Sequence, residues 1–201
     1  MRKKSQNSMG DQIIESLQIE PLTSHRMAFR IGNILPDCQP SFLTTRHSYD
    51  ETIEATKEKM RQFLNEYNSM EEIGSRVCIK LGEIIHYIAD YFTFPHNKHY
   101  AGNMKDHCLY ESDLKHQLRE FVHSEAAEHV RTRVKRFDSL EELFSFIQKI
   151  HAWYMRKPRN IYDDCKFAVY VCTSVVATIF HILAKRYETQ RTWNYTYATV
   201  S

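Results

Sequence analysis

Apolar residues recur along this chain mostly at spacings of three and four, and only 5 Gly and 5 Pro interrupt them, so the pattern is helical throughout. The spacing predicts a short helix over 11–19, punctuated by Pro21. A second covers about 49–67, where Ile53, Met60, Phe63, Leu64 and Tyr67 share a face among Glu and Lys. A third, about 74–91, turns Val77, Leu81, Ile84, Ile85 and Ile88 inward. Further helices are expected over 113–133, 140–155 and 162–186. Residues 167–184 carry no formal charge and are long enough to cross a membrane. Thr173, Ser174, Thr178 and His181 interrupt that stretch and no second span accompanies it, so it reads as a central core helix. Two segments escape the pattern: 32–47, with Pro36 and Pro40, and 93–106, with Pro95, Asn97, Gly102 and Asn103. Both read as loops, and loops of that length in compact domains usually carry function. The expectation is an all-α, single-domain helical bundle over 1–190, followed by a poorly anchored tail at 191–201.

Composition narrows the class. The chain has 27 Lys and Arg against 25 Asp and Glu, a net charge of +2, with 42% hydrophobic residues. That is ordinary globular composition, which excludes collagen-like and wholly disordered readings. The near-neutral balance argues against a stable nucleic-acid complex, because duplex affinity rests on clustered Lys and Arg neutralising phosphates. Five cysteines, odd in number and without a C-x-x-C pair, make neither a disulfide framework nor a zinc ribbon. Arg2, Lys3 and Lys4 are followed by the polar run 5–12, which lacks the apolar centre of a signal peptide, so a cytoplasmic location is expected for the chain as given. The feature out of proportion is 11 histidines, the side chain most used for zinc ligation and acid–base work.

Those histidines fall in a pattern with carboxylates. His86 and Asp90 stand four residues apart on the expected third helix and so share a face one turn apart. His96 follows directly after Pro95, and His107-Cys-Leu-Tyr-Glu111 repeats the one-turn spacing at the opening of the next helix. Upstream, Gly32-Asn-Ile-Leu-Pro-Asp37 ends in an acid and His47 heads the helix that begins near residue 49. Asp37, His47, His86, Asp90, His96, His107 and Glu111 are too many donors for one tetrahedral zinc and suit two or three adjacent ions. The lack of Cys in the set favours a water-binding, hydrolytic cluster over a closed structural site.

These residues resemble the zinc-dependent phospholipases C, a family that includes the Bacillus phospholipase C and clostridial alpha-toxin and shares its fold with zinc-dependent single-strand nucleases. The resemblance rests on His86-x3-Asp90-x5-His96 with a Pro before the last His. It rests equally on His107-x2-Tyr-Glu111 and on Asp37 followed by His47-Ser-Tyr-Asp50, and covers roughly 25–185. It implies an all-α bundle with one zinc on Asp37, His47, His86 and Asp90 and a second on His96, His107 and Glu111. Asp37 is then also placed to orient or deprotonate the attacking water. The family completes a third zinc with the free amino terminus, often a Trp, and an early His. Residues 1–24 contain neither His nor Trp, which leaves His25 as the nearest candidate.

The activity implied is hydrolysis of a phospholipid to diacylglycerol and a phosphorylated head group, with peripheral membrane contact. A single-strand nuclease, or a zinc-binding protein without turnover, are the alternatives. Tyr87, Tyr91, Phe92, Phe94 and Tyr100 are expected as core packing, or else as an apolar wall or choline cage. His116-x3-Glu120 repeats the His107/Glu111 spacing and competes with it; the resemblance favours the earlier pair. His99, His123, His129 and His151 are expected on solvated surface and His181 in the core. Arg131, Arg133, Lys135 and Arg136 form a basic patch, read as a solvated face or a contact for anionic lipid.

Overall fold

Helix α5 (Ser75–Tyr91) is the axis of the molecule, with Val77, Cys78, Leu81, Ile84, Ile85, Ile88 and Ala89 all buried. The computed structural model describes residues 1, 3–38, 47–158 and 160–198, with side chains through 189. Among the described residues the regular elements are helices, with no strand: α1 (Lys3–Leu17), α2 (Glu20–Ser24), α3 (Arg26–Ile34), α4 (Tyr49–Glu66), α5, α6 (Met104–Val122), α7 (Glu125–Thr132), α8 (Leu140–Tyr154) and α9 (Ile161–Ala198). Short 3-10 turns at Pro36–Cys38 and Phe94–His96 follow α3 and α5. Helices α3, α4 and α9 pack around α5, and α1 lies across α3, α6 and α9. The fold is all-α, as the periodicity implies. Ile161–Thr189 is long and apolar enough to cross a membrane, but most of it is buried against the other helices.

Three differences from the sequence pattern have physical causes. Helix α1 begins eight residues before the expected position 11, because polar residues supply part of its buried face: Ser5, Gln6 and Gln12 are as buried as Met9 and Ile13. It ends where Gln18 takes a left-handed φ of 47°, and Pro21 opens α2 rather than closing α1. The expected single helix over 113–133 is two, since Ser124 accepts from the Ala127 amide and caps a new start while donating to the Phe121 carbonyl.

The third difference concerns 32–47, expected as loop. Its first residues continue α3 as far as Ile34, and 39–46 lie outside the described residues. Gly32 is the reason a helix fits there. A Cβ on Gly32 would fall 2.1 Å from the Ile79 carbonyl oxygen, and one on Gly82 only 2.4 Å from that of Phe29. The backbones of α3 and α5 therefore touch at this crossing, which only residues without side chains permit. The tail expected from 191 continues α9 as helix to Ala198; its side chains, and 199–201 altogether, lie outside the described residues.

Candidate metal centre

The α3–α5 crossing delivers the first donors. One turn beyond Gly82, His86 is fully buried and its Nδ1 lies 2.8 Å from the Asn33 carbonyl, one of the carbonyls left unpaired at the end of α3. A carbonyl only accepts, so Nδ1 carries the proton and Nε2 presents a lone pair. Around that Nε2 stand His47 Nδ1 at 3.1 Å, Asp90 Oδ2 at 3.4 Å and Asp37 Oδ1 at 3.5 Å. His47 Nδ1 in turn lies 3.7 Å from Asp90 Oδ2 and 3.9 Å from Asp37 Oδ1. Asp37 comes from the 3-10 turn after α3, and His47 directly precedes the N-cap of α4. Burial, with Asp90 adding, holds the Asp37 carboxyl above its usual range.

The second group forms across the α5–α6 connection. Pro95 sits within the Phe94–His96 turn, which aims His96 Nε2 to 3.5 Å from Asp90 Oδ2. His96 Nδ1 lies 2.7 Å from Thr93 Oγ1, whose own hydrogen goes to the Asp90 carbonyl. Thr93 can then only accept from His96, which again leaves Nε2 with the lone pair. Burial pushes His96 down to about 3, so the ring is neutral at pH 7. His107 and Glu111 pair at 3.2 Å on α6, whose start is fixed by an Asn103–Asp106 capping box. His96 and His107 meet edge to face at 5.2 Å.

Asp90 joins the two groups. Its Oδ2 is buried among the imidazoles without a hydrogen-bond partner. Its Oδ1 accepts from the Met1 ammonium at 2.9 Å and from Gln6 Nε2 at 3.2 Å, and the same ammonium lies 3.1 Å from Glu111. Burial opposes ionisation of Asp90, but the charges and hydrogen bonds around it, the Met1 ammonium among them, outweigh it and hold the carboxyl well below its usual range. Asp37, Glu111, His96 and His107 open onto a cleft of about 640 Å³.

This donor set fits zinc. Tetrahedral zinc with ligands at about 2.0–2.2 Å separates its donors by about 3.3–3.6 Å, and the six separations around Asp37, His47, His86, Asp90 and His96 run from 3.1 to 3.9 Å. An orphaned buried carboxylate oxygen facing neutral imidazole lone pairs is the arrangement that a cation completes.

A further layer braces the second group. Tyr110, between His107 and Glu111, accepts from the Phe94 amide at 3.3 Å and donates to buried Asp164 on α9. Tyr154 on α8 donates to the other oxygen of Asp164 at 2.8 Å. Burial raises Asp164 to about 6 against the pull of those two hydroxyls. Tyr110 is visible in the sequence as the aromatic of His107-x2-Tyr-Glu111; Asn33, Thr93, Gln6 and Asp164 give no comparable signal.

Some of the remaining expectations hold and others are corrected. His25 pairs with Ser75 Oγ at 3.1 Å, at the opposite end of α5 from Asp90 and some fifteen residues or about 22 Å along the helix, so it contributes nothing to the centre. His116 and Glu120 are exposed on α6 and stand apart from the group formed by His96, His107 and Glu111. Tyr91 and Phe92 are fully buried, and Tyr91 bonds Thr52 and Thr56 on α4, so they build core and not a choline cage. His151 is buried rather than solvated, stacked on Tyr49 at 3.6 Å and bonded to Asn97. His181 is half-buried and bonded to exposed Asp138 rather than enclosed in the core. In the basic patch, Arg133, Lys135 and Arg136 are exposed, whereas Arg131 ties α7 to Gln12 of α1.

An all-α bundle carrying histidine and carboxylate groups joined by one aspartate is an arrangement suited to binding divalent metal ions. The chain matches the family model described as zinc dependent phospholipase C over residues 7–161, and it belongs to that family. Neither a curated protein nor a solved structure matches it.

Proposed function

We propose that the protein is a zinc-dependent phosphodiesterase that cleaves a phospholipid to diacylglycerol and a phosphorylated head group. The observation that carries this reading is the pair of donor groups sharing Asp90 and opening onto one cleft. Asp37, His47, His86 and Asp90 hold one zinc, and His96, His107 and Glu111, with Asp90 beside them, hold another. Two ions are assigned, one to each donor group; the Met1 nitrogen, at the remaining oxygen of Asp90, stands where the resemblance would place a third.

Zinc supplies a water of pKa near ~7 and positive charge opposite the phosphoryl oxygens. The protein's own residues do the rest. Asn33 and Thr93 lock the His86 and His96 rings with Nε2 forward, so no reorientation is needed as ligands engage. Asp37, which lines the cleft, takes the proton of the attacking water. The water oxygen bonds to phosphorus, the bond from phosphorus to the glycerol oxygen breaks, and the proton passes to that departing oxygen. Zinc-loaded full-length protein is expected to release p-nitrophenol from bis-p-nitrophenyl phosphate and diacylglycerol from short-chain phospholipid. Two bound zinc ions with no turnover of either diester would overturn the assignment as an enzyme.

A further inference from the structure

The walls of the cleft carry a charge pattern that the chemistry of hydrolysis does not use. Beyond the donor residues and Met1, the described wall consists of Lys3 and Lys4 from α1 and Met104, Cys108 and Lys115 from α6. Its carboxylates, Asp37 and Glu111, both belong to the donor groups. Among the described residues, none of the three lysines has a carboxylate within ion-pair distance. Asp37, Asp90 and Glu111 against two dications and the Met1 ammonium leave two positive charges, already more than the single negative charge of a phosphodiester needs. The lysines are therefore surplus to the reacting phosphate.

Resting on the phosphodiesterase reading above, we propose that the cleft selects phospholipids whose head group bears a further negative charge. Lys3, Lys4 and Lys115 approach the site from two different helices, and an anionic head group lying between them is paired on both sides. A choline or ethanolamine group brings a cation among three lysine ammonium groups, and the described wall offers it no aromatic face. A lipid, rather than a nucleic acid, is the source of the anion. Met104 at the cleft is 74% exposed, an apolar contact at its edge suited to an acyl chain. A single-strand binder uses aromatic stacking platforms, and among the described residues none lines this wall.

The test uses zinc-loaded full-length protein and monomeric dihexanoyl lipids, so that vesicle charge plays no part. Turnover is compared for phosphatidylinositol 4-phosphate, phosphatidylinositol and phosphatidylcholine, with bis-p-nitrophenyl phosphate measured alongside. The expected kcat/KM falls in that order, with at least about tenfold between the first and the last. Lys115→Glu, and separately Lys3→Glu with Lys4→Glu, are expected to shrink that ratio by about tenfold; a ratio is unaffected by the fraction of variant that folds. Equal rates, or faster cleavage of phosphatidylcholine, with bis-p-nitrophenyl phosphate still hydrolysed, overturn the head-group proposal alone. Single-stranded DNA cleaved faster than all three lipids overturns the choice of lipid. Loss of every activity overturns the underlying reading instead.

Discussion

His86 Nδ1 donates to the carbonyl of Asn33 at 2.8 Å, and that bond decides which nitrogen of His86 faces Asp37, His47 and Asp90. It forms because Gly32 and Gly82 let α3 and α5 touch one turn away. Gly82→Ala places a methyl 2.4 Å from the Phe29 carbonyl oxygen and must push the helices apart. The expected cost is about 1–3 kcal/mol of stability, read by urea denaturation of the zinc-free protein. Zinc affinity is expected to fall as well, because the Asn33 carbonyl withdraws from His86. Unchanged affinity in a destabilised variant would show that the crossing serves packing only.

Thr93 does for His96 what Asn33 does for His86. Thr93→Val removes the acceptor for Nδ1 and frees the ring to turn. Loss of an outer partner of this kind lowers metal affinity about 10–100-fold, and Thr93→Ser, which keeps the hydroxyl, is expected to restore it. Competition titration with a chelating dye reads the difference; a Val variant that binds as tightly as the Ser variant contradicts the role.

Tyr110 links the Phe94 amide to Asp164, spanning the turn that carries His96 and the helix that carries His107 and Glu111. Tyr110→Phe leaves the Phe94 amide without this partner and Asp164 with one hydroxyl fewer. One of the two zinc ions is expected to weaken about 10–100-fold while the other holds, so equilibrium dialysis is expected to show one affinity equal to the parent's and one reduced. Parallel weakening of both would point to general unfolding.

The pH dependence of the zinc-free protein has a second source besides the donor groups. Burial holds His151 down to about 4, below an unfolded value near 6.5. The unfolded chain therefore binds the proton first, and the stability tied to neutral His151 is complete above pH 6.5 and is lost as pH falls toward 4. The loss amounts to at most roughly 3 kcal/mol. Chemical denaturation at pH 7 and pH 4.5 is expected to show a steeper loss for the parent than for His151→Gln; parallel slopes would contradict it.

The helical class and the spans of α4, α5 and α8 are legible because each rests on local periodicity. His86 and Asp90 share a face by helix geometry alone, as do His107 and Glu111. What spacing conceals is contact between distant segments. Asn33 acts through its backbone, which has no sequence signature, and Asp164 lies 54 residues from the hydroxyl it accepts. Helix α3 was hidden because Gly32 and Pro36 read as loop residues, although Gly32 serves a helix crossing. His151 was misplaced because a polar residue on an amphipathic helix is read as outward, whereas Tyr49 and Asn97 give it a satisfied place inside.

The central claim is two zinc ions bound by two groups that share Asp90. Zinc-edge anomalous difference maps from crystals of the zinc-loaded protein test it most directly. The account predicts two peaks, one enclosed by Asp37, His47, His86 and Asp90 and one by His96, His107 and Glu111. A single peak, or zinc held elsewhere with Asp90 Oδ2 still without a partner, would contradict it.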